Sequence, residues 1–232
     1  MKRFYAQVAA QEAAGGWIVH LDDRPLKTQG GRPQLAPSVE LAELLAAEWR
    51  GQDDEIDPSA FRFRDMADYA IDVVRKEPDV IVDKLLGYAE TDTLCYRADP
   101  EDPLYRRQQE VWEPLLAETE AREGVRFHRV SGILHRAQAG ETLATLRNHL
   151  ERLDPFKLAA LEQLVSLSAS LCIGLAALEP GADADALWNA ANLEEDWQAE
   201  RWGKDEEAAA RREGRRKAFL NAIAFARSVK PG

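Results

Sequence analysis

Cysteine is scarce in this sequence of 232 residues: only Cys95 and Cys172 are present, far apart along the chain. They form no Cys-x-x-Cys pair, and two cysteines cannot build a disulfide framework, so free buried thiols in a reducing compartment are expected. Histidine is sparse too. His20, His128, His135 and His149 never reach the i, i+4 spacing of a helical metal pair. No GxxxxGK(S/T) phosphate loop, GxGxxG turn, GxSxG elbow or HExxH helix occurs, which removes the standard nucleotide cradles, nucleophile and zinc motifs. Long hydrophobic runs are missing. The longest, Leu164 to Leu178, is broken by Ser166, Ser168 and Ser170 and falls short of the ~20 residues that span a bilayer. The N-terminal residues lack an apolar signal-peptide core, so a cytoplasmic location and no membrane insertion are expected. Positive charge is in deficit, 30 Lys and Arg against 41 Asp and Glu for a net charge of −11. Such a chain has no general attraction for nucleic acid or anionic lipid.

What remains is a folded, acidic chain with 45% hydrophobic residues. Phe4, Ala6 and Val8 alternate, Gly15-Gly16 breaks the chain, and Trp17, Val19 and Leu21 alternate again before the turn at Asp22-Asp23-Arg24-Pro25. Period-two patterning between Gly and Pro turns predicts a β-meander. From Ser38 the period becomes helical, with Leu41, Leu44, Leu45 and Trp49 on one face. Thr91 to Tyr96 and Val125 to Val130 read as short extended segments around a helix from Tyr105 to Ala121, which Pro114 should kink or divide. After Gly140 all reads helical, and Phe156–Leu178 is the most apolar helix. Asp183–Gly203 and Lys204–Val229 complete the set. The predicted class is α+β, with a small β-rich N-terminal part and a larger all-helical C-terminal part. The predicted divisions are 1–90, a junction at 91–140, and 141–232.

Four features call for a chemical reading. Glu90 and Asp92 flank Thr91, and Glu194, Glu195 and Asp196 run together. Paired carboxylates of that kind admit a small hydrolase as an alternative function. Serines 166, 168 and 170, inside the apolar helix, are expected to bond carbonyls one turn back. Six tryptophans are present, and three of them, Trp188, Trp197 and Trp202, fall close together among charges. Glu194 stands on the otherwise apolar stripe Leu187, Ala190, Ala191, Trp197, so it needs either an arginine partner or a role at a surface beside aromatic anchors. Acids dominate from Asp183 to Glu207, and Arg211, Arg212, Arg215, Arg216 and Lys217 follow, as a solvated helix face would show.

The same residues carry a resemblance. Arg3-Phe4-Tyr5, Leu21-Asp22-Asp23-Arg24-Pro25-Leu26-Lys27-Thr28, Glu48-Trp49 with Gln52, Ala70-Ile71-Asp72, Tyr88 with Thr91-Asp92-Thr93-Leu94-Cys95-Tyr96-Arg97, and Glu194-Glu195 through Trp202-Gly203 occur in order. As an ordered set over nearly the whole chain they resemble the assembly chaperones of the F-type ATP synthase that act on the alpha subunit. The resemblance implies a protein client, no cofactor, no metal, no catalysis and no small-molecule substrate. It implies a bacterial member, since mitochondrial ones begin with a presequence. It places partner binding on Glu194, Glu195, Trp197, Trp202, Glu48 and Trp49, and a structural or junction role on Asp72, Asp92 and Tyr96. A general holdase for unfolded clients is the remaining alternative.

Overall fold

The computed structural model describes residues 1–132, 136–203 and 206–230; His135, Lys204 and Asp205 therefore lie outside the described residues. The chain forms two compact units, one of Met1–Pro78 with Asp154–Ala160 and Ala224–Gly232, the other of Asp79–Leu153 and Leu161–Ile223. As predicted, strands gather near the N-terminus and helices dominate the rest.

In the first unit β1 (Val8–Ala13) and β2 (Gly16–Leu21) form an antiparallel hairpin in the register Val8↔Leu21 to Ala13↔Gly16. β2 also pairs with β3 (Arg24–Pro25) and β4 (Leu35–Ala36). Gly16 has φ +152°, and a Cβ there would lie 2.3 Å from the Ala36 carbonyl oxygen, so β4 approaches β2 only because this residue has no side chain. Ser38 caps α1 (Val39–Arg50), its hydroxyl accepting from Leu41 N–H and donating to the Ser228 carbonyl at 2.5 Å. The buried face of α1 ends in Trp49, which packs with Tyr5, Leu21, Ile56 and Phe61. The Phe61 ring lies 4.5 Å from that of Trp49 and the Tyr5 ring 5.6 Å away, while Tyr5 Oη donates to the Trp49 carbonyl at 2.6 Å. α2 (Phe63–Tyr69) follows and widens into a π-helical turn, Ala70–Val74.

The second unit contains α3 (Pro78–Glu90), a 3-10 turn at Thr93–Cys95, and β5 (Tyr96–Arg97), which pairs in parallel with β6 (Val130–Ser131). Between the two strands α4 (Pro103–Glu123) runs without division at Pro114. Proline removes a single backbone N–H there, and Gln108, Trp112, Leu116, Thr119 and Glu120 are buried on both sides of it. After α5 (Gly140–Leu150), the apolar stretch predicted as one helix is two, α6 (Pro155–Ser168) and α7 (Leu171–Ala177). The reason is a buried carboxylate. Asp92 accepts from Ser170 Oγ at 2.7 Å, from Cys172 N–H at 3.0 Å and from Leu94 N–H at 3.0 Å. Thr93 donates its N–H and its hydroxyl to the Ala169 carbonyl, and Ala169 turns through φ +51°. Ser168 bonds the carbonyl one turn back as expected, whereas Ser170 caps α7 through Ile173 N–H. α6 and α7 then meet closely: a Cβ on Gly174 would lie 2.5 Å from Val165. α8 (Ala184–Ala191) and α9 (Leu193–Trp202) are likewise separate, broken at Asn192, whose amide bonds the Trp188 carbonyl. α10 (Glu206–Ser228) is the last helix. Among the described residues no helix is long and apolar enough to cross a membrane.

Trp49→Ala would leave a void among Tyr5, Ile56 and Phe61 and is expected to cost about 3–5 kcal/mol, read as a lower urea midpoint. Asp92→Ala orphans three donors, each worth about 1–3 kcal/mol when buried, and should likewise lower the urea midpoint. Burial pushes the Asp92 carboxyl above its ordinary value of 3.8, against the opposing pull of its donors. The folded chain thus holds that proton more tightly than the unfolded one, and this contribution to stability is lost as pH rises from about 4 through the folded pKa. Asp92→Asn cannot ionise, so the stability advantage of the native protein over this variant should narrow across that range. A gap that widens with pH would refute the assignment.

Candidate functional site

Four of the six expected partner-binding residues lie on α9, where Glu194, Glu195 and Asp196 fill the first turn and suit the positive end of the helix dipole. Glu194 accepts from Gln108 Nε2 at 2.7 Å. The sequence leaves this acid either an arginine partner or a place at a surface beside aromatic anchors; the structure gives it an amide, and gives an arginine to Asp196 instead. Gln108 of α4 is fully buried, and its Oε1 accepts from Ala98 N–H at 2.8 Å, which fixes the amide so that Nε2 faces Glu194. Arg97 holds the same residue from the other side, donating to the Gln108 carbonyl at 3.0 Å and to Glu113 at 3.1 Å. Arg129 extends this network by bonding Glu113 and Glu120.

The arginines around α9 are already committed. Arg212 grips both oxygens of Asp196, and Arg107 grips both of Glu200, at 2.6 and 3.0 Å. Those contacts raise the pKa of each arginine and lower that of Glu200. Trp197 lies beneath the guanidinium groups of Arg201 and Arg107, at 4.6 and 5.7 Å from its ring centre. Trp202 is 78% exposed. Among the described residues Glu195 has neither a hydrogen bond nor an ion pair; it borders a groove of about 470 Å³ between α8, α9 and α10, together with Trp188, Ala199, Trp202 and Ala208.

Glu48 and Trp49 belong to the other unit. Glu48 accepts from Arg62, Phe63 and Arg64 N–H at 2.6, 2.8 and 2.8 Å, so it caps α2, whose own first position, Arg62, supplies no capping side chain. Burial pushes its pKa up, against the three N–H groups. Asp72 accepts from Gly30 N–H at 2.9 Å and from Arg32 at 2.8 Å. Burial works to raise its pKa, but bonds from Thr28 and Gly30 and the Arg32 charge outweigh it and lower it. Asp68, not anticipated from sequence, is buried beside it and accepts from Gln29 N–H and Gln34 Nε2. The two acids thereby hold the 28–34 loop. Asp92 is enclosed as described, and Tyr96 is half-buried in β5. Of the histidines, His128 bonds the Ala137 carbonyl and His149 bonds Glu123 at 2.8 Å. Gln108 and Arg107 were missed as well. Gln108 does leave a trace, a polar residue on the stripe that continues through Trp112 and Leu116.

The profile of the ATP12 chaperone protein family matches residues 2–120. The chain belongs to the ATP12 chaperone family. The likeness extends well beyond the matched half: Atp12 from Paracoccus denitrificans superposes with a TM-score of 0.94 at 37% identity, covering 99% of this chain and 98% of that one. Atu1473 of Agrobacterium tumefaciens, a candidate chaperone, does so with a TM-score of 0.93 at 36% identity, covering 99% and 86%. Two mitochondrial yeast relatives are more distant. Protein atp12 of Schizosaccharomyces pombe is 28% identical over 89% of this chain and 75% of its own length, and Protein ATP12 of Saccharomyces cerevisiae is 26% identical over 90% and 78%. This ATP12-family member is a chaperone of ATP synthase assembly. The α9 cluster lies outside the matched 2–120 segment but inside the superposed one.

Gln108→Leu strips Ala98 N–H and Glu194 of their partner inside a buried network. Expected is a stability loss of about 1–3 kcal/mol by urea titration, and an unchanged midpoint would show that the Gln108 amide does not hold Glu194.

Proposed function

We propose that this ATP12-family member captures the free alpha subunit of the F-type ATP synthase catalytic head and covers the surface that the beta subunit later occupies. The main support is the full-length likeness to Atp12 from Paracoccus denitrificans, joined to the family resemblance carried by the Glu194–Gly203 motif. An unpaired subunit exposes a large apolar interface, and such patches aggregate unless covered. Covering it reversibly requires surface complementarity and no chemical turnover, so the reading asks for no nucleotide, metal or small-molecule substrate. Release follows by mass action when the beta subunit competes with higher net affinity. The protein would act in the cytoplasm, where the alpha subunit is made.

In this reading Glu194, Glu195 and Trp202 on α9 meet the client, and Trp197 braces them from beneath its two arginines. Glu48 and Trp49 support binding by keeping their own unit folded, through the cap on α2 and the aromatic cluster. Asp72, Asp92 and Tyr96 have supporting roles of the same kind.

Co-expression with the cognate alpha subunit, followed by size-exclusion chromatography with light scattering, tests the proposal. A discrete complex that added beta subunit dissolves is expected. Well-folded alpha subunit that fails to co-elute at micromolar concentration would overturn it, and equal capture of unrelated unfolded proteins would point to a general holdase.

A further inference from the structure

The groove beside α9 has a composition that defines what it can hold. Its floor is the Trp188 ring with Ala199, Ala208 and Ala209, small residues that leave room for a side chain to enter. Trp202 stands at its rim with most of its indole in water. The two arginines on its wall are neutralised in place, Arg212 by Asp196 and Arg216 by Asp185 at 2.6 Å and Glu213 at 3.8 Å. Of the groove's acids only Glu195 forms no ion pair among the described residues; Arg212, held by Asp196, lies near enough for its charge to feel that of Glu195 as well. An apolar slot with a tryptophan at the edge and one carboxylate without an ion pair complements an apolar side chain that has a cation beside it. A largely exposed tryptophan at the rim favours a protein segment over a small molecule, since indoles of this kind are enriched where proteins dock.

We propose that this groove receives an apolar side chain and an adjoining lysine or arginine of the alpha subunit, the cation meeting Glu195 and the apolar group lying against Trp202. The proposal rests on the function proposed above and adds the chemistry of the client segment. It separates the two tryptophans of α9. Trp197 is already covered by Arg107 and Arg201 and braces the helix, whereas Trp202 is free to make contact.

The test is the affinity of purified alpha subunit, by titration calorimetry, for the full chain and for Glu195→Gln, Glu195→Lys and Trp202→Ala. Glu110→Lys, an exposed reversal on α4, serves as the control. All the altered side chains are exposed, so thermal melts should match that of the unaltered protein. Expected is a weakening of about tenfold or more for Glu195→Lys and Trp202→Ala, with the control unchanged. Affinity should fall with added salt, and less steeply for Glu195→Gln. Binding by the native chain with both groove variants within about twofold of it would overturn the groove proposal and leave the function proposed above standing. Absence of any complex with the native chain would overturn both. A dimer in light scattering that Trp202→Ala dissolves would make a second copy the occupant and overturn the proposal as stated.

Discussion

The helical unit depends on one carboxylate taken out of water. Asp92 is fully enclosed, yet each donor it meets comes from a place where the chain must change direction: the 3-10 turn at Thr93–Cys95 and the start of α7. A buried ionisable group is costly when isolated. Here the cost is offset by donors that would otherwise be orphaned at helix ends, the requirement every broken helix must meet. The break between α6 and α7 in turn lets Gly174 approach Val165. Local interruption and close packing are two results of one interaction.

On α9 the decisive property is how charge is allocated. Arginines are as close to this helix as acids are, but three of them are held by acids, Arg212 by Asp196, Arg107 by Glu200 and Arg216 by Asp185, and Arg201 lies over the Trp197 ring. A patch that looks mixed in composition therefore leaves Glu195 exposed with no ion pair of its own, the nearby Arg212 being held by Asp196. The two-handed grips of Arg212 and Arg107 hold geometry better than single contacts do. They leave a rigid frame around a carboxylate that has no ion pair.

Much of this was legible in the sequence. Period-two alternation up to Gly31 located the sheet, and the Leu41–Trp49 stripe located the face of α1, because burial on one side of a regular element repeats with that element's period. The break inside Phe156–Leu178 was not legible. Hydrophobicity runs straight through it, and the group that enforces it, Asp92, is remote in sequence. The same holds for α2, whose cap is supplied by Glu48, and for Glu194, whose glutamine partner is reached only through tertiary structure. The Glu194–Gly203 motif was visible as an acid among tryptophans. Which acid is free and which tryptophan is exposed became clear only once every neighbouring arginine had been placed.

The tertiary cap on α2 also bears on how this protein tolerates change. Helix starts usually keep their Ser, Thr, Asp or Asn at the first position, but here that position is Arg62 and the capping duty has been exported to α1. Position 62 is thereby released from the usual constraint, and the constraint passes to Glu48. A substitution at Glu48 loosens the start of α2, so whatever function it costs is lost through the fold, its carboxylate being turned to the protein's own backbone.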